Sequence, residues 1–430
     1  MEIPYFRSVM KDGLYACLTR VRTLNSSQDS IKIYSLWMEE GQSELSLWKN
    51  HELDIQVNNF SLEPSENLLA LVQRDPNGIH GESPMHVHLR TLNTALPHPN
   101  ARTVILGKGD IPFWMGPDIK SCGDIIAILS GAPGSHGNLL VWNWKTGEEL
   151  YRCSKAYGYA YLSSSSIMTC MSRSSREALP GIFIEFIDIR AGSPGLITLQ
   201  LPTLCTRAMR VFSQAISVDS TNLYDDLPIS PFIHDETAER VVILEAYWPT
   251  SIRIFILVRP LLQLLTRRQQ TLSSSELKNS HLLWDEWKQG VAYATISDDD
   301  IPCYLIWGAR AGIVYFRDVR SEDDSPNTME APRSRNLGQC SPAPLFLDFN
   351  PRPVIRALSR ETPREYDDTL ESRKLAENVS RKLFSDGMFP DKLRCFTITS
   401  EALHPHVLFD GNHLIMRKTS RVLEIQQFMY

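Results

Sequence analysis

GDIIAIL (Gly123–Leu129), a loop rich in Gly and Ser, then NLLVWNWKTGEELYRC (Asn138–Cys153): the fold is decided in this stretch. It holds two short apolar runs. In the second, Leu140, Trp142 and Trp144 alternate with Leu139 and Val141. Successive side chains on a strand point to opposite faces, so this strand is apolar on both. Both faces must then be covered by other parts of the chain. Lys145-Thr146-Gly147 supplies the turn, with Gly147 free to take a positive φ.

Weaker copies of the unit lie on either side. They are SIKIYSLW (Ser30–Trp37), NLLALVQ (Asn67–Gln73) with MHVHLRTL (Met85–Leu92), and SSIMTCMS (Ser165–Ser172) with GIFIEFIDIR (Gly181–Arg190). VVILEAYW (Val241–Trp248) with SIRIFILV (Ser251–Val258), CYLIWGARAGIVYFRDV (Cys303–Val319) and HVLFDGNHLIMRK (His406–Lys418) follow, the last with a strong Asp410-Gly411 hairpin turn. The units scatter around the ~40–45 residues of a propeller blade. A blade with two apolar faces buries both only between neighbours, and closing the ring leaves short edges. The expected fold is all-β: a single β-propeller over residues 1–430, with six to seven blades, seven favoured. A pair of β-sandwiches would show cleaner inside/outside alternation. Residues 422–428 are expected to close the ring against N-terminal strand residues.

Three segments break the pattern. Residues 259–283 and 359–392 read as helix-containing insertions, the latter carrying Leu375, Val379 and Leu383 at helical spacing before Gly387. Residues 320–344, rich in acid, Ser and Pro, read as a mobile surface loop.

Composition bounds the function. The 430 residues are 43% hydrophobic and 22% charged, which suits a chain with a large core. A formal charge of -6 argues against a nucleic-acid partner, which needs clustered Lys and Arg. The greasiest stretch, Ile252–Leu265, is interrupted by Arg253 and Arg259 and is shorter than the roughly 20 apolar residues of a membrane span. With no secretory signal at MEIPYFRSVMKDG, an intracellular location, cytoplasmic or nuclear, is expected. Eight scattered cysteines with no C-x-x-C pair read as free thiols.

The search for chemistry yields no catalytic, cofactor or metal residue. GAPGSHGN (Gly131–Asn138) lacks the spacing of a nucleophile elbow, so Ser135 beside His136 reads as a turn pair. Gly107-Lys108-Gly109 has Pro112 where a dinucleotide fingerprint needs its third glycine. His86 and His88 share one face of a strand and lie near His80 and His98, yet no third ligand is evident. Asp298–Asp300 and Glu322–Asp324 lack the ligand spacing of a calcium loop. Trp142, Trp144, Trp284 and Trp287 read as structural. The chain is therefore expected not to be an enzyme. The rival readings are a hydrolase with carboxylates in a central channel, and a degenerate duplicate that folds without a partner.

NLLVWNWKTGEELY resembles the strand-turn-strand of WD-type propeller repeats. LLWDEWKQG (Leu282–Gly290), FLDFNPRPVIRAL (Phe346–Leu358) and LHPHVLFDGNHLI (Leu403–Ile415) resemble, in the same order, segments of the large fungal F-box protein family. That resemblance implies a propeller that recognises another protein, as the substrate-recognition half of a ubiquitin-ligase receptor. The helical F-box itself has no counterpart here, so adaptor binding is not carried over. The family motifs are structural and transfer no site residue.

Overall fold

In the computed structural model, the described residues are 2–22, 27–35, 46–73, 85–103, 105–106, 117–131, 136–173, 181–189, 195–201, 207–213, 240–248, 250–272, 280–287, 291–295, 303–307, 310–318, 340–348, 394–397, 407–409, 413–417 and 423–427. They are mostly β, as expected. Contacts divide the chain into two units. The first takes Met1–Ala238, Val242–Pro249 and Ile254–Val291; the second takes Glu239–Val241, Thr250–Arg253 and Ala292–Tyr430.

The first unit opens with a four-stranded antiparallel sheet in chain order: β1 (Glu2–Lys11), β2 (Leu14–Arg22), β3 (Ser27–Ser35) and β4 (Ser46–Leu53). Lys11 pairs with Leu14 across a two-residue turn in which Asp12 (φ 52°) and Gly13 (φ 75°) are both left-handed. That is the hairpin geometry an Asp-Gly pair favours. A second sheet repeats the order with β5 (Val57–Glu63), β6 (Leu68–Gln73), β7 (His86–Thr91) and β8 (Ile105–Leu106). A single 3₁₀ turn, Pro64–Glu66, joins β5 to β6.

The third and fourth sheets share a strand. β9 (Asp118–Cys122), β10 (Ile125–Ser130), β11 (Gly137–Asn143) and β12 (Glu148–Ser163) run in order, then β13 (Ser166–Arg173), β14 (Gly181–Asp188) and β15 (Gly195–Gln200). β12 is 16 residues long. Its first half pairs with β11 as far as Ala156, and its second half pairs with β13 from Ala156 onward. Register shifts on both sides of Ala156 mark bulges, which bend and twist a strand. One hydrogen-bonded ladder thus behaves as two sheets hinged on β12, four strands on one side and, with a short strand added to β15, five on the other.

Three cores lie between these sheets. Leu14, Leu18, Ile31 and Ile33 of the first meet Phe60, Leu62, Leu69 and Leu71 of the second. Leu68, Ala70 and Val72 meet Ile126, Ile128, Leu140, Trp142 and Trp144 of the third. Leu139, Val141 and Ala127 meet Tyr159, Tyr161 and Ile167 of the fourth. Alternate residues of β6 and β11 therefore enter different cores, which is why these strands are apolar on both faces.

The chain continues with β16 (Arg207–Ser213), antiparallel to β17 (Val241–Trp248); here Val241, Thr250–Arg253 and the residues from Ala292 onward fall in the second unit. β18 (Thr250–Leu257) runs directly into helix α1 (Val258–Thr271), which buries Val258, Leu261 and Leu265. The segment 259–283 thus contains a helix, but it also contains a strand. β19 (Ser280–Leu282) lies parallel against β15 and is followed by one helical turn, α2 (Trp284–Trp287). β20 (Val291–Thr295) comes next.

In the second unit, β21 (Cys303–Trp307), β22 (Arg310–Asp318), β23 (Cys340–Asp348) and β24 (Arg394–Thr397) form an antiparallel sheet in order. Of the stretch expected as loop, 340–344 is the start of β23, paired with β22. β24 pairs only with Leu345–Asp348, so this start has one partner strand among the described residues. Pro342 and Pro344 suit such a one-sided edge, where a missing N–H is tolerated. β25 (Val407–Phe409), β26 (His413–Arg417) and β27 (Leu423–Gln427) form a three-stranded sheet. β27 pairs with β26 and β1 with β2, each with its neighbour in sequence. The helix expected within 359–392 and the rest of 320–339 lie outside the described residues.

Candidate functional site

β1, β5 and β9 are each the first strand of a sheet, and each is hydrogen-bonded on one side only among the described strands. These three edges come together around a cavity of about 290 Å³. Arg7 and Lys11 reach it from β1, Asn59 and Ser61 from β5, and Asp118 and Lys120 from β9.

The floor is a closed polar network. Lys11 Nζ donates to Glu63 Oε2 at 2.5 Å and to the Ser121 carbonyl at 3.0 Å. Glu63 also accepts from the Gly123 N–H at 2.9 Å and from Ser65 Oγ at 2.6 Å. Both charged side chains are buried, at 2% and 0% exposure. Burial alone would lower the Lys11 ammonium, but the adjacent Glu63 and Asp12 carboxylates hold it above its ordinary value. Beside this node Ser61 and Ser121 share a 2.8 Å hydroxyl contact, the Ser121 N–H donates to Ser61 Oγ, and Asn59 donates to the Pro117 carbonyl at 2.6 Å. Tyr159 and Tyr161 anchor β10 from behind through hydroxyl bonds to the Ala127 and Ile125 carbonyls, and β9 through the Asp118 and Lys120 carbonyls. Burial pushes both phenols well up, so they serve as donors.

The rim differs. Asp118 is half exposed, with Lys120 Nζ at 3.6 Å. Lys120 also lies 5.0 Å from the Tyr159 ring. Arg7 is half-buried and makes no ion pair among the described residues. The floor is saturated and the rim carries the available charge. Glu63 is sealed away from water by three donors, and among the described residues Asp118 is the one carboxylate lining the cavity.

The residues weighed from sequence fall elsewhere. His88 bonds Gln73 Oε1 at 2.7 Å, and His98 bonds the Glu66 carbonyl at 3.0 Å. Among the described residues no three metal-ligating groups gather. His136 stacks edge-on to Tyr157 with ring centroids 6.2 Å apart. Trp142 and Trp144 are core, and Trp287 is buried with its indole N–H on the Gln200 carbonyl at 3.0 Å. Ser135, His80, Gly107–Gly109 and the acidic runs at 298–300 and 322–324 lie outside the described residues. Among those described, no helix is long and apolar enough to cross a membrane. The sequence reading missed Arg7, Lys11 and Glu63. The available signal was positional: Lys11 and Glu63 each end the first strand of a sheet, just before a tight turn.

No protein-family model matches the chain, nor does any curated protein. Among solved structures it is similar to the WD40 domain of SCAP from fission yeast, with a TM-score of 0.40 and 9% identity over 99% of this chain and 96% of that one. It is also similar to the β-propeller domain of the Trilobed protease from Pyrococcus furiosus, with a TM-score of 0.33 and 8% identity over 71% and 87%.

Proposed function

We propose that the chain is a β-propeller that binds another protein and carries out no chemistry itself. Seven successive sheets support the blade count: β1–β4, β5–β8, β9 to the first half of β12, its second half to β15, one begun by β16 and β17, β21–β24, and β25–β27. The observation that carries the binding reading is the cavity between three strand edges unpaired among the described residues, whose floor is saturated and whose rim is charged. Such a surface holds a partner without a group poised to react. The resemblance to fungal F-box proteins makes that partner a substrate awaiting ubiquitin transfer.

The test uses the full chain as bait in extract of its own cells at low salt, with amine cross-linking and mass spectrometry. The expected result is a protein partner cross-linked through Lys120 at the rim. A bait that enriches no protein over a tag-only control, or partners joined solely at lysines remote from the cavity, would overturn the reading.

A further inference from the structure

We infer that the cavity between β1, β5 and β9 is a seat for a carboxylate presented by an extended peptide segment; this rests on the protein-binding reading above. Lys11 is paired with Glu63 and Lys120 lies beside Asp118, whereas Arg7 makes no ion pair among the described residues. The cavity wall therefore presents one half-buried guanidinium with no ion pair among the described residues, although the whole chain is acidic.

The local backbone is built to present these groups. The β1 ladder shifts register between Ile3 and Arg7, so Arg7 is the first paired residue after a bulge. The β5 ladder shifts between Val57 and Asn59, beside the second lining strand. Bulges bend an edge and re-aim the side chains that follow. A guanidinium offers a planar fork that matches a carboxylate. Free strand edges offer main-chain donors and acceptors to an extended segment.

The same features disfavour other anions. Asp118 beside Lys120 repels a doubly charged phosphate more than a single carboxylate. A nucleic acid would meet a chain of net charge -6. The volume, about 290 Å³, lies at the small end of ligand pockets and suits one acidic residue.

The experiment is a methyl NMR titration of the full chain, read at Val9, Leu62 and Ile119, which line the cavity. Three probes separate the sources: N-acetyl-glutamate α-amide with only the side-chain carboxylate free, N-acetyl-glutamine with only the terminal carboxylate free, and N-acetyl-glutamine amide with neither. Saturable shifts with one or both carboxylates and none with the amide are expected. Arg7→Gln should weaken that binding about tenfold, and Arg7→Lys less. Lys155→Gln, on an exposed stretch of β12, should leave it unchanged. Equal response to all three probes, no response, tighter binding of inorganic phosphate, or an Arg7→Gln variant with native spectra and unchanged affinity would each overturn the assignment. The probes need no partner. A cavity that titrates while the bait captures nothing would sink the partner reading alone.

Discussion

At the scale of single residues, Asn143–Gly147 shows how a short string of letters becomes a joint. The Asn143 side chain accepts the Lys145 and Thr146 N–H groups, and Gly147 takes φ 74° and donates to the Asn143 carbonyl at 2.8 Å. Within that turn Trp144 is fully buried, with its indole N–H on the Gly123 carbonyl at 2.8 Å. Lys145 bridges Glu66 and Asp124 at 2.7 Å each. Trp144→Phe removes the donor and leaves space, so it should cost about 2–3 kcal/mol in denaturant unfolding. A cost under about 0.5 kcal/mol would mean that neither the bond nor the fit matters. His98, edge-on to Trp144 at 4.7 Å, makes a second prediction. Its Nδ1 accepts the Asn100 N–H, so its Nε2 carries the proton given to the Glu66 carbonyl, and the ring is neutral. Burial holds its pKa below the ordinary 6.5, with Lys145 adding to the effect against Glu66. The unfolded chain then takes up the proton first. The His98 contribution is complete above pH 6.5 and is lost as pH falls through the lower folded value. Burial depresses His51 and His88 in the same direction. Unfolding midpoints compared at pH 7.5 and 5.5 should fall less steeply in His98→Gln than in wild type. Parallel slopes would refute the assignment.

At the scale of elements, the segment from α1 to α2 acts as a cover for an edge. β19 adds a parallel strand to β15, Trp287 bonds the Gln200 carbonyl, Gln269 bonds Asp188 at 3.1 Å, and Arg268 joins α1 to Glu286 of α2 at 2.6 Å. A bare edge strand invites pairing with another chain. Trp287→Ala should therefore speed amide exchange in Gly195–Gln200 while β9–β11 stay protected. Equal acceleration in both regions would show a global effect instead. The helix within 259–283 was legible from its spacing of leucines, whereas β19 was not: Ser-His-Leu is too short to show a period. β6 and β11 were legible because both of their faces are apolar, and Gly147 because a turn there needs a positive φ. The continuity of β12 was hidden. Its first half is largely exposed and its second largely buried, so the sequence reading ended the element at Cys153 and assigned nothing to the second half. The site was hidden for a related reason. A lysine or glutamate in a strand reads as a solvent-facing residue, and only the fold reveals that Lys11 and Glu63 face each other across 52 positions.

At the scale of the whole molecule, the first four sheets are tied in sequence by apolar cores, and buried ion pairs near the edges join the first three. Arg20 and Asp29 form a two-point pair in the first sheet, and both reach the Val57 backbone at the start of the second. The Lys11–Glu63 node goes further, since Ser121 and Gly123 bring in the third sheet. A buried pair is costly to break from one side, because the remaining charge keeps its desolvation penalty. Lys11→Met and Glu63→Leu should thus each lose about 3–5 kcal/mol. Removing both charges leaves the Gly123 N–H, the Ser65 hydroxyl and the Ser121 carbonyl without that partner, neutral groups that cost about 1–3 kcal/mol each. The double variant should accordingly be more stable than the sum of the single losses allows, yet less stable than wild type. Guanidinium midpoints of the four proteins measure this coupling. Additive losses would mean that Lys11 and Glu63 act independently, and that the three sheets are held by their apolar cores alone. A double variant at wild-type stability would instead mean that the backbone bonds to the node contribute nothing.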